Sequence, residues 1–416
     1  MKNSFDVIII GLGAMGSAAA FHLARRNRRV LGLDRFRPPH AFGSSHGQTR
    51  IIREAYFEHP AYVPIVQRAY ENWAELEREV GQQLLQQTGG LMIGPPEGIL
   101  VTGAQRSAQL HQLSHDLLTA KEIRQRFPAF QPSDEMVAVW EPRAGILFPE
   151  RCVEAHLQMA QRCGAALQFD EPATQWERDG DGVRVYTANG EYFAQRLLIA
   201  AGAWINQLIT ELTLPLTVER QVLLWFAPKI HPEHFAPQHC PIYIWEHEPH
   251  RIIYGFPELG EGVKVGRHHE GEIIEPNSVR REVDSDDIAA MRVILRRIMP
   301  LIDTVPRASA VCLYTNTPDT NFLLDFHPQH PQVLLASICS GHGFKFSSAV
   351  GEIFADLLLE GRSCFDLSLF RLERLQRSWE CLSDRGSSAD ILSAGGAPAL
   401  RFPPVSEALP ITGISA

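Results

Sequence analysis

Apolar residues along the chain repeat with the periods of strands and helices, and the two patterns alternate. Residues 5–10 (FDVIII) form a β-branched run with the length of a buried parallel strand. A helix is predicted over about residues 17–26, and a second short strand over residues 30–34. Residues 61–80 and 150–163 have the spacing of amphipathic helices. The alternation predicts an α/β fold that opens with a βαβ unit.

Further strand signals stand in the middle and at the end of the chain. Residues 183–204 predict a hairpin with its turn at Asn189 and Gly190, then a buried strand that ends at Gly202, where backbone would approach a cofactor. Alternating runs between about 218 and 310 predict an antiparallel sheet. The segment VLLASI predicts another strand, and the apolar residues from 346 to 358 predict a helix.

This order of signals predicts two interleaved domains. The nucleotide-binding domain is predicted to comprise residues 1–85, 148–217 and 320–383, and the substrate domain residues 86–147 and 218–319. Residues 384–416 are rich in Gly, Ser, Ala and Pro, a composition that predicts a disordered tail.

Composition narrows the class of protein. The 416 residues carry 39 basic and 48 acidic side chains, a net charge of −9, without a basic stripe, which argues against nucleic acid as a partner. Seven scattered cysteines without a CxxC pair predict neither a disulfide framework nor a metal site, so a reducing, cytoplasmic compartment is expected. The longest apolar runs are too short to span a membrane, so we expect no membrane partner.

The sequence GLGAMG directly follows the first predicted strand. Gly11 permits a tight turn, Gly13 lets the backbone approach a pyrophosphate, and Gly16 lets the next helix pack against the strand. The helix directs its N-terminal amides at the phosphates. Asp34, at the end of the second strand, offers a carboxylate to the hydroxyls of an adenosine ribose, which favours FAD or NAD over NADP.

Six blocks, in the same order and spacing, resemble the monomeric sarcosine oxidase and N-methyltryptophan oxidase family of flavoprotein amine oxidases. The blocks are GLGAMG, GSSHGQTRIIREAY, YGFP, VKVGRH, CLYTNTPD and SGHGFKFSS, and the resemblance covers about residues 5–376. It implies a glutathione-reductase-like, FAD-binding Rossmann domain with an inserted antiparallel-sheet substrate domain, and covalently bound FAD. The implied reaction is oxidation of the C–N bond of N-methyl or cyclic amino acids by O2, giving an imine, which is hydrolysed to aldehyde and amine, and hydrogen peroxide. A monomer that acts on small amino acids is expected.

The resemblance also assigns residues around the flavin. Cys312 matches the attachment cysteine, whose thiolate can add at the methyl group of the benzenoid ring. His46 and Arg50 match neighbours of the flavin ring. Gly341 and Gly343 precede a helix whose N-terminal amides, with that of Lys345, would stabilise negative charge on the reduced flavin.

The substrate-side residues are implied in the same way. Arg53 and Lys345 match a clamp for the substrate carboxylate, in which arginine supplies a bidentate fork and lysine a second positive charge. Lys264 matches the oxygen-activating lysine, a fixed cation that stabilises the charge of superoxide. The remaining matches shape the amine pocket or stand beside the attachment cysteine: His268, Tyr254 and Tyr314.

Several positions depart from the family pattern. Ser45, Gln48 and Arg267 differ from close relatives, and Trp245 belongs to a divergent block before YGFP. These departures concern substrate identity more than flavin chemistry. Three hypotheses stay open: an amine oxidase with covalent FAD, a flavin dehydrogenase or deaminating amino-acid oxidase on the same fold, and a non-catalytic flavin-binding module. Oxygen uptake with stoichiometric peroxide separates the first from the second, and any turnover excludes the third.

Overall fold

The computed structural model describes residues 3–375, so the predicted tail of residues 384–416 lies outside them. The helices are α1 (Ala14–Ala24), α2 (Val63–Val80), α3 (Ile99–Leu110), α4 (Ala120–Arg126), α5 (Pro149–Arg162), α6 (Ile205–Leu208), α7 (Ser285–Ile298) and α8 (Ser347–Glu360). The first ten strands are β1 (Ser4–Ile10), β2 (Val30–Leu33), β3 (Arg50–Ile52), β4 (Leu85–Gln87), β5 (Gly90–Gly94), β6 (Asp116–Thr119), β7 (Val137–Glu141), β8 (Gly145–Leu147), β9 (Ala166–Gln168) and β10 (Ala173–Asp179). The others are β11 (Gly182–Thr187), β12 (Gly190–Ile199), β13 (Thr217–Pro228), β14 (Ile242–Glu248), β15 (Arg251–Glu258), β16 (Val263–His268), β17 (Glu272–Ile273), β18 (Ile302–Asn316), β19 (Leu323–His327) and β20 (His330–Ser337).

The first sheet is the predicted Rossmann sheet. Its parallel strands run in the order β9, β2, β1, β12, β20, and β10 and β11 join β12 as an antiparallel extension. Parallel strands need crossover connections, and α1, which connects β1 to β2, packs against both α5 and α8. The central strand β1 is apolar and buried at Val7, Ile8, Ile9 and Ile10, as expected for a sheet covered on both faces. The predicted fold class is confirmed.

The second sheet carries the inserted strands. Its order is β17, β13, β16, β15, β14, β5, β7, β6, and β18 pairs with β13 along its length. The pairs are antiparallel except for β5 and β14, which are parallel. Membership of this sheet follows the two predicted inserts, residues 86–147 and 218–319, while the exact domain boundaries stay a prediction. Strands β3, β4 and β8 form a small third sheet.

Two local predictions differ from the structure. Thr187 pairs with Gly190, so the hairpin turn consists of Ala188 and Asn189, and Gly190 is already the first residue of β12. The glycine is needed there because its φ is +143°. Helix α1 begins at residue 14 rather than 17, because helical backbone starts directly after Gly13, its N-cap.

The candidate site lies where the two large sheets meet. The first sheet brings the loop after β1 and the segment between β20 and α8. The second sheet brings the ends of β15, β16 and β18, and β3 stands between them. Segments far apart in the chain therefore surround one cavity.

Candidate active site

Two of the three glycines after β1 allow close backbone packing, and the third leaves open space beside the backbone. Gly11 has a φ of +94°, and a Cβ on it would lie 2.5 Å from the Ala200 carbonyl oxygen. A Cβ on Gly16 would lie 1.7 Å from the Gly11 oxygen, so the helix could not pack there. A Cβ on Gly13 would have Ser45 Oγ, at 3.6 Å, as its nearest neighbour. Gly13 therefore keeps backbone accessible at the N-terminus of α1, which suits a pyrophosphate.

Asp34 follows β2 and lies beside this loop. Its carboxylate accepts hydrogen bonds from the backbone N–H of Leu12 at 2.7 Å and of Phe36 at 2.8 Å. Burial raises the pKa of Asp34 to about 6, and the two amide donors oppose that rise. The side chain is thus held in place at the cavity wall, where its remaining lone pairs can accept ribose hydroxyls.

One cavity, with a volume of about 480 Å³, extends from the glycine loop after β1 to Lys345, in the segment before α8. The predicted residues that line it are Gly11, Gly13, Asp34, Arg50, Arg53, Gly202, Tyr254, His268, Cys312, Tyr314, Gly341, Gly343 and Lys345. Gly16, His46 and Lys264 lie behind its wall. The cavity has open space at Gly13 and a carboxylate at Asp34, and Cys312 also lines it, so the residues present fit a dinucleotide whose redox ring would reach toward Cys312.

Cys312 lies in β18 beside Arg50. The Arg50 Nη2 donates to the Cys312 sulfur at 3.3 Å and to the Ser44 carbonyl oxygen at 2.7 Å. A positive charge therefore lies next to the sulfur, and thiolate is the nucleophilic form of cysteine. Cys339, which follows the end of β20, also lines this cavity and accepts a hydrogen bond from the Thr315 N–H at 3.3 Å.

Lys264, on β16, is buried behind the cavity wall. Its Nζ donates to the carbonyl oxygens of Gly47 at 2.6 Å and Thr49 at 2.9 Å, and to Thr49 Oγ1 at 3.0 Å. The ammonium also lies 4.8 Å from the centre of the Phe256 ring. Burial lowers its pKa well below the usual value. Three oxygen acceptors nevertheless match the three N–H donors of an ammonium.

His46 is buried in the loop that precedes β3. Burial, then Arg50, lowers its pKa to about 3, so the imidazole is neutral near pH 7. Its Nε2 has no hydrogen-bond partner among the described residues. An unpaired buried nitrogen close to the cavity is compatible with the predicted role beside the cofactor.

Arg53 follows β3 and is almost fully buried, with 1% of its surface exposed, so it is not a surface arginine. Its Nη2 donates to both carboxylate oxygens of Glu58, at 2.8 and 2.6 Å, and its Nη1 donates to the Ala55 carbonyl oxygen at 2.9 Å. Its guanidinium carbon lies 4.2 Å from the centre of the Tyr56 ring. Arg53 Nε has no hydrogen-bond partner among residues 3–375.

Lys345, the second predicted cation of the clamp, faces the same cavity. Its Nζ donates to the His342 carbonyl oxygen at 2.6 Å and to Tyr56 Oη at 3.3 Å. Burial, then the charge of Arg53, lowers the pKa of Lys345 to about 7, whereas Glu58 opposes the shift. Two buried cations therefore lie at one end of the cavity with Glu58 as their acidic neighbour.

Three further residues around this pair were not predicted from the sequence: Tyr56, Glu58 and His342. Tyr56 is the last residue of the block that contains Arg53, and His342 lies in SGHGFK, so their positions in the blocks were the available signal, whereas Glu58 follows two residues after its block ends. Tyr56 Oη and His342 Nδ1 are 2.5 Å apart, and His342 Nε2 is 3.0 Å from the Thr320 carbonyl oxygen.

His268, Tyr254 and Tyr314 form one wall of the cavity. His268 Nδ1 lies 3.5 Å from Tyr314 Oη, and the rings of Tyr254 and His268 are perpendicular at 6.5 Å. Gly341, with a φ of +78°, allows this packing, because a Cβ there would lie 2.6 Å from the Tyr314 ring and 2.8 Å from the His268 ring. Burial lowers the pKa of His268 well below its usual value, so this wall is uncharged at neutral pH.

The departures from the family pattern have different surroundings. Ser45 lines the cavity, and its Oγ accepts the first amide of α1, from Ala14, at 3.2 Å. Gln48 has a φ of +70° and accepts a hydrogen bond from the Trp225 indole at 3.2 Å. Trp245 is buried in the second core, and Arg267 forms an ion pair with Glu270, so neither lines the cavity.

The fold and cavity define a protein of the Rossmann type, in which one continuous cavity extends from the glycine loop to the two buried cations Arg53 and Lys345. Within that class, the chain belongs to the FAD dependent oxidoreductase family, whose model matches residues 6–357. FAD is therefore its cofactor, as predicted. Within residues 3–375, no helix is long and apolar enough to cross a membrane.

Two relatives show which members of this family the chain resembles. The chain is 47% identical over 379 residues to monomeric sarcosine oxidase of Streptomyces avermitilis, covering 90% of this chain and 99% of that one. It is 35% identical over 374 residues to N-methyl-L-tryptophan oxidase of Yersinia pestis, covering 89% and 100%. The predicted membership of this group is confirmed.

Solved structures with lower identity share the fold. NikD, an unusual amino acid oxidase essential for nikkomycin biosynthesis, superposes with a TM-score of 0.76 at 24% identity, covering 89% of this chain and 97% of its own. The L-proline dehydrogenase from P. horikoshii gives a TM-score of 0.77 at 21% identity, covering 90% and 99%.

Proposed function

We propose that this protein is an FAD-dependent oxidase of N-methyl or cyclic amino acids, which oxidises the C–N bond with O2 and produces hydrogen peroxide. The observation that carries the proposal is that Arg53 and Lys345 line the same cavity as Cys312 and the glycine loop. A cavity that joins a dinucleotide site to two buried cations suits an amino acid carboxylate held next to a redox cofactor.

The clamp works by exchange of one carboxylate for another. Arg53 Nη2 already donates to both carboxylate oxygens of Glu58, so the guanidinium is placed to hold a carboxylate at this end of the cavity. A substrate carboxylate would take the place of Glu58 on Arg53 and accept a further hydrogen bond from Lys345. The amine would then face the uncharged wall of His268, Tyr254 and Tyr314, which imposes no positive charge on the neutral amine that must be oxidised.

FAD, when bound, supplies the electron acceptor for the C–N bond and delivers the electrons to O2. Gly11, Gly13 and Asp34 would hold its dinucleotide part, and Gly341 and Gly343 would contact its ring end, because these residues line the cavity. Lys264 contributes a fixed cation close to Arg50, which would stabilise the negative charge of superoxide.

Covalent attachment through Cys312 is part of the proposal. Cys312 lines the cavity, and Arg50 Nη2 donates to its sulfur, which keeps a positive charge at the nucleophile. Protein precipitated with acid should keep its yellow colour, whereas Cys312→Ala should release its flavin on denaturation. Cys339→Ala is the matched control, since this cysteine lines the same cavity. A colourless pellet from the wild type contradicts the attachment.

A peroxide-coupled screen tests the function. Sarcosine, N-methyltryptophan, pipecolate and proline should be compared with their esters, and free acids should be better substrates. Arg53→Ala should lower catalytic efficiency for every acid at least about tenfold, because a buried charged partner is worth about 2 to 5 kcal/mol. Turnover with an artificial acceptor but without O2 uptake would identify a dehydrogenase, and a preference for esters would contradict the clamp.

Assembly and location complete the proposal. We propose a monomer in the cytoplasm whose partners are a small amino acid and O2, supported by the similarity to monomeric sarcosine oxidase and by cysteines scattered without a disulfide pattern. The molar mass of the purified protein in solution measures the first part directly.

A further inference from the structure

Tyr56 lies outside the cavity wall but contacts both cations of the clamp. The guanidinium carbon of Arg53 lies 4.2 Å from the centre of its ring, and Lys345 Nζ lies 5.1 Å from the same centre. Lys345 Nζ also donates to Tyr56 Oη at 3.3 Å. Tyr56 is fully buried, so these contacts are shielded from water.

His342 fixes the direction of the Tyr56 hydroxyl. Its Nε2 lies 3.0 Å from the carbonyl oxygen of Thr320, which can only accept, so Nε2 carries the proton. Nδ1 is then an acceptor, and the Tyr56 O–H donates to it across 2.5 Å. Burial lowers the pKa of His342 to about 3, so the ring stays neutral. The lone pairs of Tyr56 Oη are consequently left for Lys345.

The positive charges of Arg53 and Lys345 repel each other, so each cation needs neighbouring groups that hold it in place. Glu58 compensates Arg53 by binding it through both oxygens, and it makes no hydrogen bond to Lys345 among the described residues. Within residues 3–375, Lys345 Nζ donates to one carbonyl oxygen and one hydroxyl oxygen only. The titratable or charged groups that interact with Lys345 are Arg53, Glu58, Tyr56, His268 and His342.

We propose that Tyr56 is a positioning residue for substrate binding: its hydroxyl, oriented by His342, holds the Lys345 ammonium, and its ring holds the Arg53 guanidinium, so that both cations face one carboxylate. The inference rests on the proposed function, because it assumes that the cavity binds a carboxylate. It assigns Tyr56 no contact with substrate or cofactor.

Carboxylate binding should therefore depend on pH in a defined direction. The pKa of Lys345 is lowered to about 7, so the ammonium is present below that pH and is lost as the pH rises through it. Affinity for a carboxylate should fall over the same interval. Tyr56→Phe removes an oxygen that stabilises the ammonium, so the midpoint of this fall should move to lower pH.

The test uses the holoenzyme and acetate, a carboxylate that has no amine to titrate or oxidise. Acetate binding is followed by the flavin absorbance from acid to alkaline pH. For Tyr56→Phe we expect a dissociation constant raised about tenfold and a midpoint lowered by about one pH unit. With a true substrate, KM should rise while kcat stays nearly constant.

Tyr62→Phe is the matched control. The Tyr62 ring lies 4.8 Å from the Tyr56 ring in the same buried cluster, but its hydroxyl donates to Asn321 Oδ1 and does not touch Lys345. This variant should keep the wild-type midpoint. If Tyr56→Phe does not accumulate as holoenzyme, His342→Gln tests the same hydroxyl orientation and should shift the midpoint in the same direction.

The outcomes separate this inference from the proposed function. Wild-type affinity and an unchanged midpoint in Tyr56→Phe would overturn the positioning role while leaving the carboxylate clamp intact. A shift of equal size in Tyr62→Phe would also overturn it, because it would show a general packing effect. Failure of wild-type holoenzyme to bind acetate at any pH would overturn the clamp, and the positioning role with it.

Discussion

Replacing Lys264 with methionine should slow reoxidation by O2 far more than reduction by substrate. A fixed cation matters only when negative charge forms on oxygen, which happens in the oxidative half-reaction. A preorganised electrostatic contact of this kind is worth about 3 to 4 kcal/mol. That free energy corresponds to a rate reduction of more than about a hundredfold.

The surroundings of Lys264 explain why the charge should be effective. Its ammonium is held by oxygens of Gly47 and Thr49, and no carboxylate forms an ion pair with it within residues 3–375. Neutral acceptors fix the cation without cancelling its charge. Burial lowers its pKa well below the usual value, so the rate of reoxidation should fall as pH rises through that lowered pKa.

Stopped-flow kinetics separates the two half-reactions. Anaerobic mixing with substrate measures reduction, and mixing the reduced enzyme with O2 measures reoxidation. Lys229→Met, at an exposed position after β13, is the control for loss of one lysine charge. The methionine removes a donor from three oxygens, of which the Gly47 and Thr49 carbonyl oxygens keep another donor, so thermal unfolding of both variants must be compared as well. Equal slowing of both half-reactions in a folded Lys264→Met holoenzyme would refute the reasoning.

The remaining predictions concern the glycine loop and the clamp. Gly13→Ala should fold but lose affinity for FAD, since its Cβ would meet only Ser45 Oγ, at 3.6 Å. Gly16→Ala should fail to fold, since its Cβ would lie 1.7 Å from a backbone oxygen. Apoprotein stability and flavin titration distinguish the two variants, and equal stabilities would contradict this assignment. Glu58→Gln should bind acetate several-fold more tightly, because Arg53 would no longer hold a competing carboxylate. A larger dissociation constant for acetate would instead show that Glu58 helps to hold Arg53 in the conformation that binds a carboxylate.

Sequence patterns predicted the parts of the fold that depend on local residues. The strand before GLGAMG, the glycines and Asp34 lie as predicted because each requirement is local, namely a tight turn, a close packing contact and a strand end. Which side chains of β14 face the cavity was not predicted from the sequence. Ile244 lines the cavity, and Trp245, the next residue, is buried in the core on the other face of the sheet. The polar residues next to them in the sequence do not indicate which face of β14 lines the cavity and which face packs in the core.

Contacts across long separations were not predictable from local pattern. Tyr56 and His342 are joined by a hydrogen bond across 286 positions, and the tautomer that gives it a direction depends on Thr320. The resemblance of the sequence blocks pointed to Arg53 and Lys345 but gave no indication that Arg53 donates hydrogen bonds to the Glu58 carboxylate. Partners of this kind depend on how the second sheet and the segment before α8 close around β3, which a single sequence does not specify.

The order of strands in the Rossmann sheet has a consequence for synthesis of the protein. β1 pairs with β12, and β12 pairs with β20, so the sheet joins residues near 7, 198 and 334. A chain emerging from the ribosome therefore carries its phosphate loop from the start, yet the chamber for the cofactor closes only after residue 345 has been made. FAD can be captured late in translation or after it, and any covalent link to Cys312 must follow that closure. Nascent chains truncated before β20 should therefore not retain flavin.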